Sequence, residues 1–471
     1  MAAMLKVFLS RQSFSSIFEL YYIFLRYAAD PLMPDRKQNH DLSEMKCPHN
    51  LEEVDLFSPG APEHWYEAYD ILHDEAPVHK IPGEGFEPGT DAFILSKHED
   101  IAAVVRDQDR FPVVGSVLLK VLTESDENLL EKPGVSAILA SMASLRPNPD
   151  MWRSHRQELT DPWVGPGAGR NEAMVNRVVK ESIDKWIDRG EVEWITEFAQ
   201  AVPQMVMANI LGWPIEDLKL LKYFGDGTVK PFVYGARHNN ILPEAEIQSQ
   251  FQVLEEFKQY TNDLIKEKRE HPQEDMISFL TNVEYSPLKR KLLDLEINGI
   301  VYAMVIGGLE TTQYAISEQV QLLVDNPLIW TELKKDRTKL RAFTEEGMRL
   351  RSPTQGLSTR ITGQDEVFQG VSVPKGSYLH LRWAAANIDP DEWDHPQEID
   401  LNRKAGTRHL TFSQGARVCP GASISRLEQM CAWTAILDRI ERFNYADNNT
   451  FLHQPGIMLG ALELNLTFEK A

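Results

Sequence analysis

Apolar positions recur at helical spacing along most of this chain. Residues 64–75, HWYEAYDILHDE, place apolar side chains three and four apart and predict a helix; a second is predicted near 98–107. Between them, Ala92–Leu95 has the short apolar run of a buried strand. From about 175 to 350 most segments read as helices of ten residues or more. Stops such as Pro214 just after Gly212, and the stretch Val324-Asp325-Asn326-Pro327, separate them. The character changes over 357–382, where Val, Phe and Tyr alternate around Gly370 and Pro374-Lys375-Gly376 and predict short hairpins. A final helix is expected over about 421–441, and Gly460–Phe468 alternates like a strand. No internal repeat or low-complexity linker divides the pattern. It predicts one mainly α domain with a minor β region over residues 62–471, preceded by an N-terminal extension, 1–61.

The extension holds an apolar run, Ile17–Tyr27, that Glu19 and Arg26 interrupt. It falls short of the ~18–20 residues of a spanning helix and lacks the cleavage site of a secretory signal. A leader packed on the fold is expected, with at most peripheral membrane contact. The charge balance, 49 Lys and Arg against 70 Asp and Glu, gives −21 and argues against nucleic acid as a partner. Cys47, Cys419 and Cys431 are too few and too scattered for a disulfide framework or a closed zinc site. A cytoplasmic location fits such a set, and any cysteine chemistry would involve a single thiolate.

The chemistry concentrates in Phe412-Ser413-Gln414-Gly415-Ala416-Arg417-Val418-Cys419-Pro420-Gly421. Gly415 and Gly421 let the backbone approach a flat ligand. Pro420 suits the first position of a helix, whose positive end would point at Cys419 and lower its thiol pKa. Arg417 can meet a carboxylate and Phe412 forms an apolar wall. The set suits a thiolate bound axially to a metal in a planar macrocycle; a buried structural cysteine after a glycine turn is the plainer alternative. Cys431 and Cys47 take that plainer reading.

A second segment, VYAMVIGGLETTQYAI at 301–316, is an odd helix, since Gly307 and Gly308 each cost about 1 kcal/mol relative to Ala. The Thr311 hydroxyl can bond back to the Gly307 carbonyl and bend the axis. Small residues beside a hydroxyl and a carboxylate make a groove with a proton path, although a close helix crossing would read the same. Glu346 and Arg349, three apart, would alone be an ordinary surface pair.

Together and in this order these segments resemble cytochrome P450 monooxygenases. Residues 412–421 match the haem-binding signature FxxGxRxCxG at every specified position. Gly307, Gly308, Glu310, Thr311 and Thr312 resemble the central-helix motif [AG]Gx[DE]T[TS], and Glu346 with Arg349 resembles ExxR. The resemblance covers about 62–468, and Ala385-Ala386-Asn387-Ile388-Asp389-Pro390 looks like soluble bacterial members.

The resemblance implies the cytochrome P450 fold and haem b, with Cys419 as its axial ligand and dioxygen as co-substrate. It implies proton delivery by Glu310 and Thr311, and contacts to the cofactor from Gly307, Phe412, Gly415 and Gly421. The propionates are expected at Trp152, Arg156, Arg360, His409 and Arg417. Glu346 and Arg349 are implied to be structural. Arg403 is expected as their third member, because Pro396-Gln397-Glu398-Ile399 departs from the usual Arg and Phe.

By family topology the substrate pocket involves 111–140, 225–245, Ala303, Met304, Thr354–Ser358 and Ile457–Leu459, with Met458 among them. Thr354, Gln355 and Ser358 add polarity; Arg237 and His238 would meet a carboxylate or form a solvated loop. The implied reaction inserts one oxygen atom from dioxygen into a C–H bond of a mid-sized hydrophobic molecule, such as a terpenoid, steroid or fatty acid. No flavin or nicotinamide domain is visible in the chain. Electrons are therefore expected from a separate ferredoxin or flavodoxin and its NAD(P)H-dependent reductase, docking on a basic face near Arg153, Arg417 and Arg426. A monomer is expected. A peroxide-driven peroxygenase and a non-catalytic haem-thiolate sensor or carrier are the alternatives, and the Glu310–Thr311 pair argues against both.

Overall fold

Trp65, Ala68, Tyr69 and Leu72 share one face of the first helix, α1 (Trp65–Glu75), and that face is buried. A computed structural model describes residues 46–114, 117, 145, 146 and 148–471, except 59, 234, 237, 238, 241–243, 357, 358, 405, 448 and 455; for 228–251 it describes the backbone alone. Ser358, Arg237, His238, most of 111–140 and residues 1–45 lie outside that range. Leu56 and Ala61 are buried against α1, and Trp65 Nε1 donates to the Leu56 carbonyl at 3.2 Å, so the packed unit begins before residue 62.

After α1 come β1 (Val78–Ile81), β2 (Ala92–Leu95), α2 (His98–Arg106) and α3 (Pro149–His155). Asn148 caps α3 by accepting the Met151 N–H at 2.9 Å, and the helix widens into a π turn over Arg156–Thr160. Next are α4 (Glu172–Asp184), β3 (Glu191–Glu193) and α5 (Ala201–Leu211), which stops at Gly212 with φ 78°. The helical middle continues through α6 (Leu218–Val233), α7 (Glu244–Glu270), α8 (Met276–Asn282), α9 (Asp294–Gly308), α10 (Glu310–Asp325), α11 (Pro327–Lys335) and α12 (Leu340–Leu350). Then follow β4 (Thr359–Ile361), β5 (Glu366–Phe368), β6 (Val371–Val373), β7 (Tyr378–Leu381), α13 (Trp383–Asn387), α14 (Ala422–Arg439), β8 (Ile440–Tyr445) and β9 (Asn465–Lys470).

The main sheet runs β1-β2-β7-β4. β2 and β7 are its inner strands and are buried at every position, which explains the unbroken apolar run at 92–95. The expected hairpins form as β5–β6 and as the antiparallel pairing of β4 with β7. The last helix ends at Arg439 because 440–445 become β8, whose Phe443 lies opposite Phe468 of β9. The final strand is correspondingly later than the alternation at 460–468 suggested. The architecture is mainly helical with small sheets, as expected.

Helices α10, α12 and α14 meet around buried polar side chains. Thr312 Oγ1 lies 3.0 Å from Ser425 Oγ; Gln319 donates to Gln429 at 2.6 Å and accepts from Trp433 Nε1 at 2.6 Å. Gly347 lets α12 close on this row, since a side chain there would come within 2.6 Å of Gln319.

On α12, Arg349 grips Glu346 through two bonds of 2.8 and 2.9 Å, and Arg403 Nε reaches the same carboxylate at 3.0 Å. Arg349 also donates to the carbonyls of Asn387, Pro396 and Glu398. Replacing Arg349 by Leu should lower unfolding free energy by about 3–5 kcal/mol, because a buried carboxylate loses its bidentate partner and three carbonyls lose a donor. A denaturant titration against the wild type measures this.

Candidate active site

The loop before α14 is shaped by its glycines. Gly415 takes φ 73°, and a side chain there would come within 3.3 Å of the Arg106 backbone. The Cys419 N–H closes the loop on the Phe412 carbonyl at 2.8 Å. Its start is held by the buried Asn387, which accepts the Leu410 N–H at 2.6 Å and donates to Thr411 Oγ1 at 2.9 Å. Gly421 leaves room beside the Cys419 sulfur, 3.9 Å from where its side chain would begin.

Cys419 is half-buried at the head of α14. Burial raises its thiol pKa, whereas the N–H groups of Gly421 and Ala422 and the charges of Arg156 and Arg426 lower it; the balance is upward. The helix end thus acts on the thiol in the expected direction, against desolvation.

A cation group lies beside this loop. Two guanidiniums, of Arg146 and Arg417, each stand 4.3 Å from the Trp152 ring. Arg156 donates to the Val418 carbonyl at 2.6 Å and to Asp161 at 3.2 Å, and Arg417 to Gln108 at 2.6 Å. Burial and then the neighbouring arginine charges push Arg146 down to about 10; burial and then Arg417 do the same to Arg360. Trp152 Nε1 is buried with no protein partner. A set of closely placed guanidiniums around an unused N–H donor fits a dianionic edge such as the two propionates of haem.

Arg146 is absent from the sequence reading because it belongs to no motif. His155 is another such residue: it is buried, and burial with the Arg146 and Arg156 charges pushes it down to about 3.

His409 is not in this group. Its Nε2 lies 3.0 Å from Glu345, which also takes two bonds from Arg426 at 2.7 and 2.9 Å. Residues Arg106, Thr407, His409, Phe412, Gly415 and Arg426 line a surface depression of about 470 Å³. The basic face expected near Arg153, Arg417 and Arg426 is correspondingly reduced. Arg417 stacks on Trp152, Arg426 is held by Glu345, and Arg153 faces Asp150 at 3.6 Å.

The central segment forms two helices that break at Leu309. The Thr311 hydroxyl donates to the Gly307 carbonyl at 2.7 Å, as its spacing suggested. The two glycines divide the two roles. Gly307 is exposed, and a side chain on it would meet nothing within 4 Å; one on Gly308 would run into Met207 at 2.2 Å. Gly307 therefore opens a notch and Gly308 permits a close helix crossing. The Thr312–Ser425 contact ties this notch to the helix that follows Cys419. Glu310 accepts from the Tyr314 hydroxyl at 2.9 Å.

Ala303, one turn before Gly307, is half-buried, but Met304 sits in the main core and is corrected as a pocket residue. Met458 packs with Tyr314 and Ile306, and its sulfur lies 3.5 Å from Thr354 Oγ1. Gln355 is also corrected: it accepts from Tyr69 at 2.8 Å and donates to the Ser352 carbonyl at 2.8 Å, so it serves the fold.

A sequence model of the cytochrome P450 family matches residues 141–468. The biotin biosynthesis cytochrome P450 of Bacillus subtilis is 29% identical over 405 residues, 86% of this chain and 96% of its own. The steroid C26-monooxygenase of Mycolicibacterium smegmatis is 28% identical over 291 residues, 60% of this chain and 70% of its own. Among solved structures, P450BioI in complex with hexadec-9Z-enoic acid-ligated acyl carrier protein superposes with a TM-score of 0.73. It is 26% identical, and the match covers 87% of this chain and 99% of that one.

The chain belongs to the cytochrome P450 family. It is an oxidoreductase that incorporates oxygen, and membership implies a haem-thiolate cofactor, use of dioxygen, a small-molecule substrate and redox partners. No helix among the described residues is long and apolar enough to cross a membrane.

Glu345 supplies a pH test. Burial pushes its carboxyl up, but the bonds from His409 and Arg426 prevail and hold it at about 2 against an ordinary 4.5. Its contribution to stability is full above about pH 4.5 and is lost as pH falls from there toward 2. The shift corresponds to about 3 kcal/mol. Glu345→Gln should flatten that acid limb in thermal melts recorded between pH 6 and pH 3.

Proposed function

We propose that this chain is a haem-thiolate monooxygenase acting on a mid-sized hydrophobic molecule, with electrons from a separate ferredoxin or flavodoxin and its reductase. The observation that carries this reading is the tie between two elements. The helix headed by Cys419 is bonded through Ser425 to Thr312, beside the open notch at Gly307 and Thr311.

In this reading Cys419 would supply the thiolate that holds the iron of haem b, and the N–H groups of Gly421 and Ala422 would temper the charge on its sulfur. Trp152, Arg146, Arg156, Arg360 and Arg417 would hold the propionates. Bound haem supplies the redox chemistry that activates dioxygen for insertion into a C–H bond. Gly307 keeps the notch free of side chains. Glu310 holds a proton at its carboxyl, and Thr311, anchored on the Gly307 carbonyl, places its hydroxyl at the groove to pass that proton on.

Ala303, Ile306 and Met458 offer an apolar wall, which suits a long-chain acyl or steroid-like substrate. The solved relative bound to a fatty-acyl carrier protein and the steroid C26-monooxygenase support that class. Docking of the electron donor is assigned to the depression that Arg106 and Arg426 line, with Arg106 as its cation, since Arg426 is already held by Glu345.

The test is a carbon monoxide difference spectrum of the dithionite-reduced protein. A strongly red-shifted Soret band that disappears in Cys419→Ala is expected; a band of histidine-ligated haem would remove the Cys419 assignment. With a surrogate ferredoxin system, Glu310→Gln should lower product formation about a hundredfold. Full activity with hydrogen peroxide alone, unchanged in Glu310→Gln, would favour the peroxygenase alternative. Haem binding without turnover under either condition would favour the sensor.

A further inference from the structure

Tyr314 lies one turn after Glu310 on α10, buried to 4% exposure. Its hydroxyl lies 2.9 Å from Glu310 Oε2 and 2.8 Å from Gln454 Nε2. A phenol has one proton to donate, and here it is donated to Glu310 Oε2. Gln454 must therefore present its amide N–H to the phenol oxygen. The directions of both bonds follow from that one constraint.

Gln454 belongs to a stretch that folds back on itself. Its N–H donates to the Gly460 carbonyl at 2.9 Å, and that of Leu462 donates to the Leu452 carbonyl at 2.9 Å. Gly460 lies over the Tyr314 ring; a side chain there would come within 2.5 Å of the ring carbons. The tip of the stretch pairs with 353–355 through Gln355 N to Ile457 O at 3.0 Å and Leu459 N to Pro353 O at 2.9 Å. Met458, at that tip, touches Tyr314 and Ile306.

The other end is fixed by charge. His453 Nδ1 lies 3.0 Å from Glu63 and its Nε2 lies 3.4 Å from Glu318, while its backbone N–H donates to Glu63 at 2.7 Å. One continuous assembly thus runs from the Glu63 and Glu318 clamp, through His453 and Gln454, to Tyr314 and Glu310.

We infer that Tyr314 is a positioning residue for the Glu310 carboxylate, and that Gln454 couples this position to the segment carrying Met458. The inference rests on the role in proton delivery given to Glu310 above. A carboxylate on a half-buried helix face samples several rotamers unless a partner selects one. Proton transfer needs the donor and acceptor within hydrogen-bond reach in a defined direction. Tyr314 supplies that selection from the same helix, and the packing of Gly460 stops its ring from moving away. A molecule that displaces Met458 would shift the stretch holding Gln454, so occupancy of the apolar wall and the orientation of Glu310 become linked.

The experiment uses the full-length haem-loaded enzyme and the variants Tyr314→Phe, Gln454→Leu and Glu310→Gln. The carboxylate band of Glu310 is assigned by infrared difference between wild type and Glu310→Gln. At the same pH this band should shift in Tyr314→Phe, which keeps the ring, and shift less but in the same direction in Gln454→Leu. Oxygen consumption is then followed with a surrogate ferredoxin system in H₂O and D₂O, with hexadec-9-enoic acid as the probe. Tyr314→Phe should slow it by roughly three- to tenfold, as loss of one hydrogen bond implies, and enlarge the solvent isotope effect.

An unmoved band and an unchanged isotope effect in Tyr314→Phe would overturn the inference. If Tyr314→Phe fails to fold, the band in Gln454→Leu decides instead, and an unmoved band there overturns it equally. Normal, fully coupled turnover by Glu310→Gln would instead remove the proton-delivery role itself.

Discussion

The Glu346 carboxylate is the point from which the rest of the site is held. It accepts from Arg349, Arg403 and the Asp400 N–H, and is almost wholly buried. Through Arg349 it fixes the Asn387 carbonyl, and the Asn387 side chain in turn fixes Leu410 and Thr411, where the cysteine loop begins. Each link is a directed bond in a place without competing water, so an error in one is passed to the next. The position of Cys419 thus depends on an ion triad contributed by two separated segments of chain, and the loop's own glycines supply only the shape.

Two kinds of constraint meet at the central helix. A pair of adjacent glycines costs helix stability twice, and each position uses that loss differently. Gly308 brings α9 against Met207 of α5, while Gly307 leaves space at the surface of an otherwise buried element. The Thr311 hydroxyl then takes up a carbonyl that the break at Leu309 would leave weakly bonded.

Much of this was legible from the residues because short spacings carried it. Thr311 and Gly307 are one turn apart, and Glu346 and Arg349 are three apart, so their bonds follow from helix geometry. Arg403 was also accessible, as a cation in a segment that departs from the usual pattern. The parts that were not legible depend on distant approach. Arg146 reaches Trp152 from outside the helix, Tyr314 meets Gln454 across 140 residues, and His409 turns to Glu345 because that buried carboxylate competes for it. Met304 shows the limit of topology alone: one residue along a helix turns a side chain by about a quarter of a circle, from the notch side into the core. The burial that opposes the helix end at Cys419 has no signature in a ten-residue segment.

The gathering of Arg146, Arg156, Arg360 and Arg417 has a further consequence in a chain whose net charge is −21. This corner nevertheless collects cations, and burial, then the neighbouring arginine charges, disfavour the charged forms of Arg146 and Arg360. An anionic ligand edge seated there acts as an internal counterion, and its binding adds to the folding free energy of that corner by mass action. In the proposed reading, the Trp152 corner would therefore reach its full stability only with its counterion in place. Loss of that ligand would loosen the molecule from this corner outward.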